Sequence, residues 1–400
     1  MSETSSPAVS AGLTVSQAEF SKLNPARVAR FLERVRREVD EGLLPAAQVA
    51  VARNGVLTLL ESFGDASEQS LFCVFSATKA ITSSAAWLLM QDGLLDPSER
   101  VGEIVPEFAE NGKEAVTVEH LLTHTAGFPH APFKTLDWLD RETRMQRFAE
   151  WRLNWQPGTR FEYHPTSSMW VIAEIIERRS GLEFQDFVRQ RVALALGLPE
   201  MFVGLPADQN VRAMPCVHVG TGLTSEDYAR IGLPEPPVTE VTEEAISNFN
   251  RPEIRAVGVP GGGGFMNAAA LALFYQGLLH GGLKVNGKFE KVWDANTLSL
   301  AREVRTGDLR DPVHGKRANR GLGIVIAGEE APNYLGFGHT NSPQAFGHNG
   351  AGGQLAWADP VTGISLAYLT NGHDRHSVRQ GRRGVAISSH AAALADPTDP

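Results

Sequence analysis

The sequence predicts an α+β fold in which one antiparallel sheet is assembled from both chain ends, flanked by helices, with a helical subdomain inserted between the two halves. Three observations point there. An amphipathic helix near the start runs straight into a hairpin pattern, strand-like runs return only near the end, and the long stretch between them is mostly helical. A helix followed by an antiparallel hairpin argues against parallel βαβ units.

The elements follow in order. Asn24-Pro25 reads as an N-cap with proline at the first helical position. Val28, Phe31, Leu32, Val35 and Val39 then form one apolar stripe that stops at Gly42. Ala46 to Ala52 and Val56 to Leu60 read as two strands around Arg53-Asn54-Gly55, a good hairpin turn. Leu71 to Phe75 is a short apolar run that turns into a long helix. Lys79, Ile81, Ala85, Leu88 and Leu89 lie at helical spacing along it, and Asp92-Gly93 supplies the stop.

From Ser76 to Arg191 the pattern is mostly helical, with connections such as Gln156-Pro157-Gly158. Pro199 to Arg255 is rich in proline and without clear period, which suggests a long ordered excursion or lid. Gly261 to Gly264 opens another helix through Leu271, Phe274 and Leu278. Strand character returns at Gly321 to Ala327, Gln354 to Ala358 and Ile364 to Thr370, and a final helix is expected between Val385 and Leu394. There is no internal repeat. The expected division is a flexible start over 1–18 and one domain over 19–395. Its α/β part covers about 19–85 and 256–395, and its helical part and lid about 86–255.

Composition narrows the function. An apolar fraction of 42% and a charged fraction of 21% describe an ordinary globular protein. The charge, 37 minus 46, is −9 with no long basic cluster, which argues against nucleic acid as a partner. Cys73 and Cys216 both lie among apolar neighbours and read as small buried hydrophobes rather than a disulfide. Met1 to Ala11 has no basic start and no signal-like apolar core, and no apolar run reaches membrane-spanning length. The expectation is a cytoplasmic protein with no membrane partner; its oligomeric state is not readable.

One tetrad carries chemistry: Ser76-Ala77-Thr78-Lys79, placed where the apolar run becomes a helix. A serine hydroxyl needs a base to take its proton, and a lysine three residues on shares its helical face. At the helix start, unpaired N–H groups and the helix dipole favour developing negative charge. Two downstream segments could complete the site. Phe161-Glu162-Tyr163 follows the Pro157-Gly158 turn and brings a phenol, which can act as a base beside an ammonium. Phe346 to Gly353 is a glycine-rich entry into a strand, where the backbone can approach a substrate and one N–H can join an oxyanion hole.

Taken together these segments resemble the serine β-lactamase-like superfamily, in its branch of class C β-lactamases, family VIII carboxylesterases, D-aminopeptidases and D-alanyl-D-alanine carboxypeptidases. The resemblance runs over roughly residues 20 to 395 in the expected order. Ser76 to Lys79 matches the first motif, Thr117 to Gly127 a typical helix and turn, and Tyr163 the second motif. Gly261 to Phe265, Leu273-Phe274-Tyr275 and Gly281-Gly282 match the glycine-rich segment and its helix, and His348-Asn349-Gly350 the third motif in its His-x-Gly form. The resemblance implies Ser76 as acyl-forming nucleophile and Lys79 with Tyr163 as shared base and acid. It implies the N–H groups of Ser76 and Ala351 as oxyanion hole, and His348, Asn349 and Gly350 as substrate-binding. It implies no cofactor and no metal.

Two departures stand out. The second motif usually reads Tyr-x-Asn, and here Tyr163-His164-Pro165 lacks the amide, so its hydrogen bond to substrate or Lys79 is expected to be missing. Candidates to replace it are His164, Thr166 and Ser167. The third motif has His348 where β-lactamases commonly place lysine, and a neutral histidine holds a substrate carboxylate less firmly.

Other features invite less. His120 and His124 have metal-ligand spacing, but the first is followed by Leu121 rather than the glutamate of a zinc hydrolase, so both read as structural. The tetraglycine lacks a following Lys-Ser/Thr and reads as a tight wall near the site rather than a phosphate loop. His339 and His373 could rim the pocket and read first as solvated loop residues. The expected function is a serine hydrolase working through an acyl-enzyme, foremost a carboxylesterase, with a small-molecule ester or amide as substrate. An amidase or D-aminopeptidase, a weak β-lactamase and an acyltransferase share the chemistry. A non-catalytic ligand-binding relative is the alternative from another class.

Overall fold

The computed structural model describes residues 13–233, 235 and 240–395. Its centre is a six-stranded antiparallel sheet in the order Val56–Gly64, Ala46–Arg53, Ile364–Thr370, Leu355–Asp359, Phe346–Gly347, Val325–Ile326. The early strand Ala46–Arg53 therefore pairs with the late strand Ile364–Thr370, with Val49 opposite Tyr368. Asn54 and Gly55 form the two-residue turn of the first hairpin, with φ of 54° and 77°. Positive φ at both central residues matches the right-handed twist of the strands, and Asn-Gly supplies it at least cost.

Strand periodicity divides the sheet between two cores. On one face Ala46, Ala50, Ala52, Ala356, Ala358 and Ala367 meet the buried helix Ala268–His280. On the other, Val49, Val51, Leu355, Trp357, Leu366 and Tyr368 meet the helices Pro25–Asp40 and Ser377–Ala392. Small residues line the first face because the helix that packs there is itself apolar all round and comes close. Asn24 caps the first of the outer helices through Ala26 N and Arg27 N, and the terminal helices are pinned by Asn24 N donating to Leu394 O.

Several expectations need correction. The part of the expected flexible start that is described, residues 13–18, is tied down: Ser16 N donates to Leu57 O, and Leu13 and Val15 pack on the core. The expected start over 1–12 lies outside the described residues. Gly264–Met266 is a strand, between Phe72–Cys73 and Phe202–Val203, and the helix after it begins only at Ala268 under the Asn267 cap. Gly321 to Ala327 shortens to Val325–Ile326, because Leu322 N and Gly323 N turn away to Ala301 O and Leu122 O. The last helix starts at Ser377, where the His376 ring caps Arg379 N.

The excursion holds the helices Ser225–Ile231, Glu243–Asn248 and Pro252–Val257, each too short to print a period. The hairpin Gly282–Val285 and Lys288–Lys291 was missed from the sequence, although its turn, Asn286-Gly287 with φ of 49° and 81°, carries the same Asn-Gly signal as the first hairpin. Among the described residues no helix is long and apolar enough to cross a membrane.

Gln276 ties the layers together. Fully buried on the central helix, it accepts from Gly55 N at 2.8 Å and donates to Ala52 O, Gly363 O and Ser365 Oγ at 3.0–3.1 Å. Gln276→Leu keeps the volume but strands these buried backbone groups. It is expected to cost about 2–4 kcal/mol, read as a lower midpoint in urea with an unchanged slope.

Candidate active site

The nucleophile sits on a strained elbow. Phe75 has φ +44°, uncommon for a bulky residue, and Phe75–Ala77 forms a single 3-10 turn before the helix Thr78–Gln91. That helix is buried on every side from Thr78 to Leu89, and its threonines serve as clamps. Thr78 Oγ1 accepts from Gly264 N at 2.8 Å and Thr82 Oγ1 donates to Pro260 O at 2.6 Å, fixing the glycine segment against the helix.

Ser76 Oγ receives two hydrogen bonds, from the Tyr163 hydroxyl at 2.9 Å and from Lys79 Nζ at 3.2 Å. Lys79 is fully buried, and its other two protons go to Pro165 O at 2.6 Å and Gly261 O at 2.7 Å. The contact expected to be missing at Pro165 is therefore made by the same residue's carbonyl. His164, Thr166 and Ser167 do not supply it. The His164 ring is spent on Phe128 N and Glu162 O, Thr166 Oγ1 on Glu240, and Ser167 Oγ on Phe128 O. The tetraglycine lies against the site: a Cβ at Gly261 would stand 3.3 Å from Lys79 Nζ and 3.1 Å from Pro165 O.

The third motif packs onto the elbow through its glycines. A Cβ on Gly350 would lie 2.5 Å from Val74 O, and one on Gly352 3.1 Å from the Phe75 ring. Ala351 between them packs on the cluster that holds Phe75, the residue before the nucleophile. Neither the Ser76 nor the Ala351 N–H has an acceptor among the described residues, as an oxyanion hole requires. Asn349 is used differently from the expectation of substrate binding: Nδ2 donates to Gly336 O and Oδ1 accepts from Ala356 N, so its amide holds the loop. Gly350 likewise serves close packing.

His348 is buried. Its Nδ1 lies 2.9 Å from Asn349 O, which assigns the proton to Nδ1 and leaves Nε2 without a partner among the described residues. Its ring is 6.0 Å from that of Tyr163, with no hydrogen bond between them. Burial, then the charges of Lys79 and Arg320, hold it well below the usual histidine range, so it is neutral.

His124 lies against Tyr163, with ring centroids 4.7 Å apart and the planes tilted by 50°, and accepts from His164 N at 3.2 Å. Burial, with Arg320, His164, Lys79 and His348 adding, keeps it deprotonated as well. Burial takes His164 down to about 3. His120 closes a capping box with Thr117, and the described residues contain no group of three or more His, Cys, Asp or Glu side chains suited to a metal.

Of the remaining histidines, His339 is exposed. His373 is a half-buried strand residue 5.0 Å from His218, not a solvated loop residue. The two cysteines are buried free thiols in one cluster with Phe75. Sequence reasoning missed Arg320, whose guanidinium lies 5.6 Å from the Tyr163 ring centroid. No motif pattern marks it; the signal was only a lone arginine ahead of a glycine-rich turn.

A hydroxyl flanked by a phenol and an ammonium, beside two free N–H groups, is suited to acyl transfer. A family model described as beta-lactamase matches residues 31–390. The esterase/beta-lactamase LipL of Mycobacterium tuberculosis (strain ATCC 25618 / H37Rv) is 26% identical over 317 residues, 74% of this chain and 68% of that protein. A crystal structure of a family VIII carboxylesterase superposes with a TM-score of 0.73 at 26% identity, covering 94% of this chain and 98% of the other. A penicillin-binding protein homologue from Caulobacter crescentus gives 0.75 at 25% identity, covering 93% and 98%.

Two measurements follow from this geometry. Lys79→Ala and Tyr163→Phe should each lower kcat by at least ~10³, and the double mutant little further, because groups acting as one unit are non-additive. Additive losses would mean separate roles. Second, a long-range ¹H–¹⁵N correlation spectrum should show His124 and His348 remaining neutral from about pH 8 down to 5. Their folded-state pKa values are depressed. The unfolded chain therefore binds protons first as pH falls through about 6.5, and this part of the stability, present above that pH, is lost below it.

Proposed function

The chain belongs to the beta-lactamase family, and we propose that this serine hydrolase is a carboxylesterase acting on small or short-chain esters through an acyl-enzyme. Ser76 Oγ attacks the ester carbonyl as its proton passes to the Tyr163–Lys79 pair. The N–H groups of Ser76 and Ala351 hold the oxyanion, and the departing alkoxide takes the proton back from Tyr163. Water then repeats the sequence on the acyl-enzyme. Lys79 and Tyr163 both bond Ser76 Oγ and so act on it as one relay. We also propose that it works in the cytoplasm, a location that the free thiols Cys73 and Cys216 fit.

The observation that carries the ester preference is His348: buried, neutral and standing where a lysine would supply charge. Pro165 adds to it by giving its carbonyl to Lys79 and offering no amide to a substrate. Losing one charge-assisted hydrogen bond costs on the order of 1.5–3 kcal/mol. A β-lactam or peptide amide needs such contacts, whereas an activated short ester needs only the nucleophile and the oxyanion hole. An amidase or D-aminopeptidase activity uses the same groups and is the second reading.

The test is a substrate panel of p-nitrophenyl acyl esters of rising length, D-amino acid amides and nitrocefin, with Ser76→Ala as control. The kcat/KM for p-nitrophenyl butyrate should exceed that for nitrocefin by at least ~10²-fold, equivalent to about 3 kcal/mol of missing transition-state contacts. Ser76→Ala should abolish turnover and labelling by a serine-directed phosphonate, and His348→Lys should narrow the gap. Equal rates on the two substrates, or the highest rates on D-amino acid amides, would overturn the ester assignment.

A further inference from the structure

Tyr163 is surrounded by basic groups. Lys79 Nζ lies 5.1 Å from its ring centroid and the Arg320 guanidinium 5.6 Å, with the neutral rings of His124 and His348 at 4.7 and 6.0 Å. No carboxylate stands within ion-pair distance of Arg320 among the described residues. Arg320 is only 8% exposed, packs over Phe161 at 5.3 Å, and has a buried Nε without an acceptor. Asp311 acts on it from longer range and itself pairs with His314 at 3.5 Å. A guanidinium taken out of water ordinarily has an anion to repay its desolvation. Here the guanidinium instead faces two aromatic rings, Phe161 and, at 5.6 Å from its centroid, the candidate proton carrier Tyr163.

We propose that Arg320 is a positioning residue for acyl transfer, its charge stabilising negative charge on the Tyr163 oxygen in place of the cation that the third motif lacks at His348. Once the proton that Tyr163 donates to Ser76 Oγ in the structure has left to solvent, the electron pair sits on the Tyr163 oxygen until Ser76 gives up its own proton to it. It sits there again after the O–H bond breaks in favour of the departing alkoxide. Between these points Ser76 Oγ bonds the carbonyl carbon and the C–O bond to the alcohol breaks, so the proton and the charge are both returned. A cation over the ring acts at both points without touching substrate. Lys79 is committed to Pro165 O, Gly261 O and Ser76 Oγ, so its charge is shared among three acceptors while that of Arg320 is not.

The inference rests on Tyr163 carrying the proton, and the experiment separates the two. Arg320→Met and Arg320→Lys are assayed with p-nitrophenyl butyrate across pH, with circular dichroism to confirm the fold. Arg320→Met should lower kcat about 10- to 100-fold, the range of a modest electrostatic contribution to a barrier. KM should stay within about twofold, and the pH of half-maximal rate should move up by about one unit. Arg320→Lys should recover most of the rate. If Arg320→Met does not fold, Arg320→Gln is the charge-free variant judged by the same figures. A folded charge-free variant with unchanged kcat and pH profile would overturn the proposal, as would a lysine variant no better than it, which would mean that packing alone matters. An active Tyr163→Phe would instead overturn the proton-carrier reading beneath it.

Discussion

The buried ammonium of Lys79 is the interaction on which the site depends. Three segments distant in sequence each contribute one oxygen to it: Ser76 from the helix start, Pro165 from the second motif and Gly261 from the glycine wall. A charge removed from water demands that all its donors be satisfied, and an ammonium has three. Two neutral carbonyl dipoles hold the cation in place without neutralising it. The charge therefore remains available to the serine oxygen, which a carboxylate partner would have competed for. The requirement also explains the glycine at 261, since a side chain there would crowd the amine.

Around this centre the polar groups are mostly used on the scaffold. His164, Ser167 and Asn349 all bind backbone, and Tyr275 Oη accepts from His348 N at 2.9 Å. What faces the reacting atoms is a small set: one hydroxyl, one phenol, one ammonium and two backbone N–H groups. The chain thus combines a strained, tightly braced nucleophile with few groups dedicated to gripping a substrate.

Much of this was legible in the sequence, for identifiable reasons. The Asn24-Pro25 start, the Asn54-Gly55 hairpin and the Ile364–Thr370 strand are locally encoded, so their boundaries agree closely with the folded elements. Ser76, Lys79 and Tyr163 meet as their motifs suggest. Short strands such as Val325–Ile326 and Gly264–Met266 were misjudged because their limits are set by neighbours: two amides diverted to Ala301 and Leu122, and strand partners distant in sequence. The carbonyls of Pro165 and Gly261 were invisible for a simpler reason. Every residue has a carbonyl, and a one-letter code does not say where it points.

The sheet that joins the two chain ends also constrains how the protein is made. Thr370 Oγ1 donates to Ala46 O across 324 residues of sequence. At ribosomal rates of about 5–20 residues per second, the first hairpin waits roughly 15 to 65 s for its neighbour to be synthesised. For that interval Ala47, Val49 and Val51 lack the Ser377–Ala392 helix that completes their core, and the edge of the Ala46–Arg53 strand is unpaired. Exposed apolar surface and an unpaired edge make such a nascent chain prone to aggregate until its last strands arrive. Nearly the whole polypeptide must leave the ribosome before the elbow bearing Ser76 has a wall to brace against.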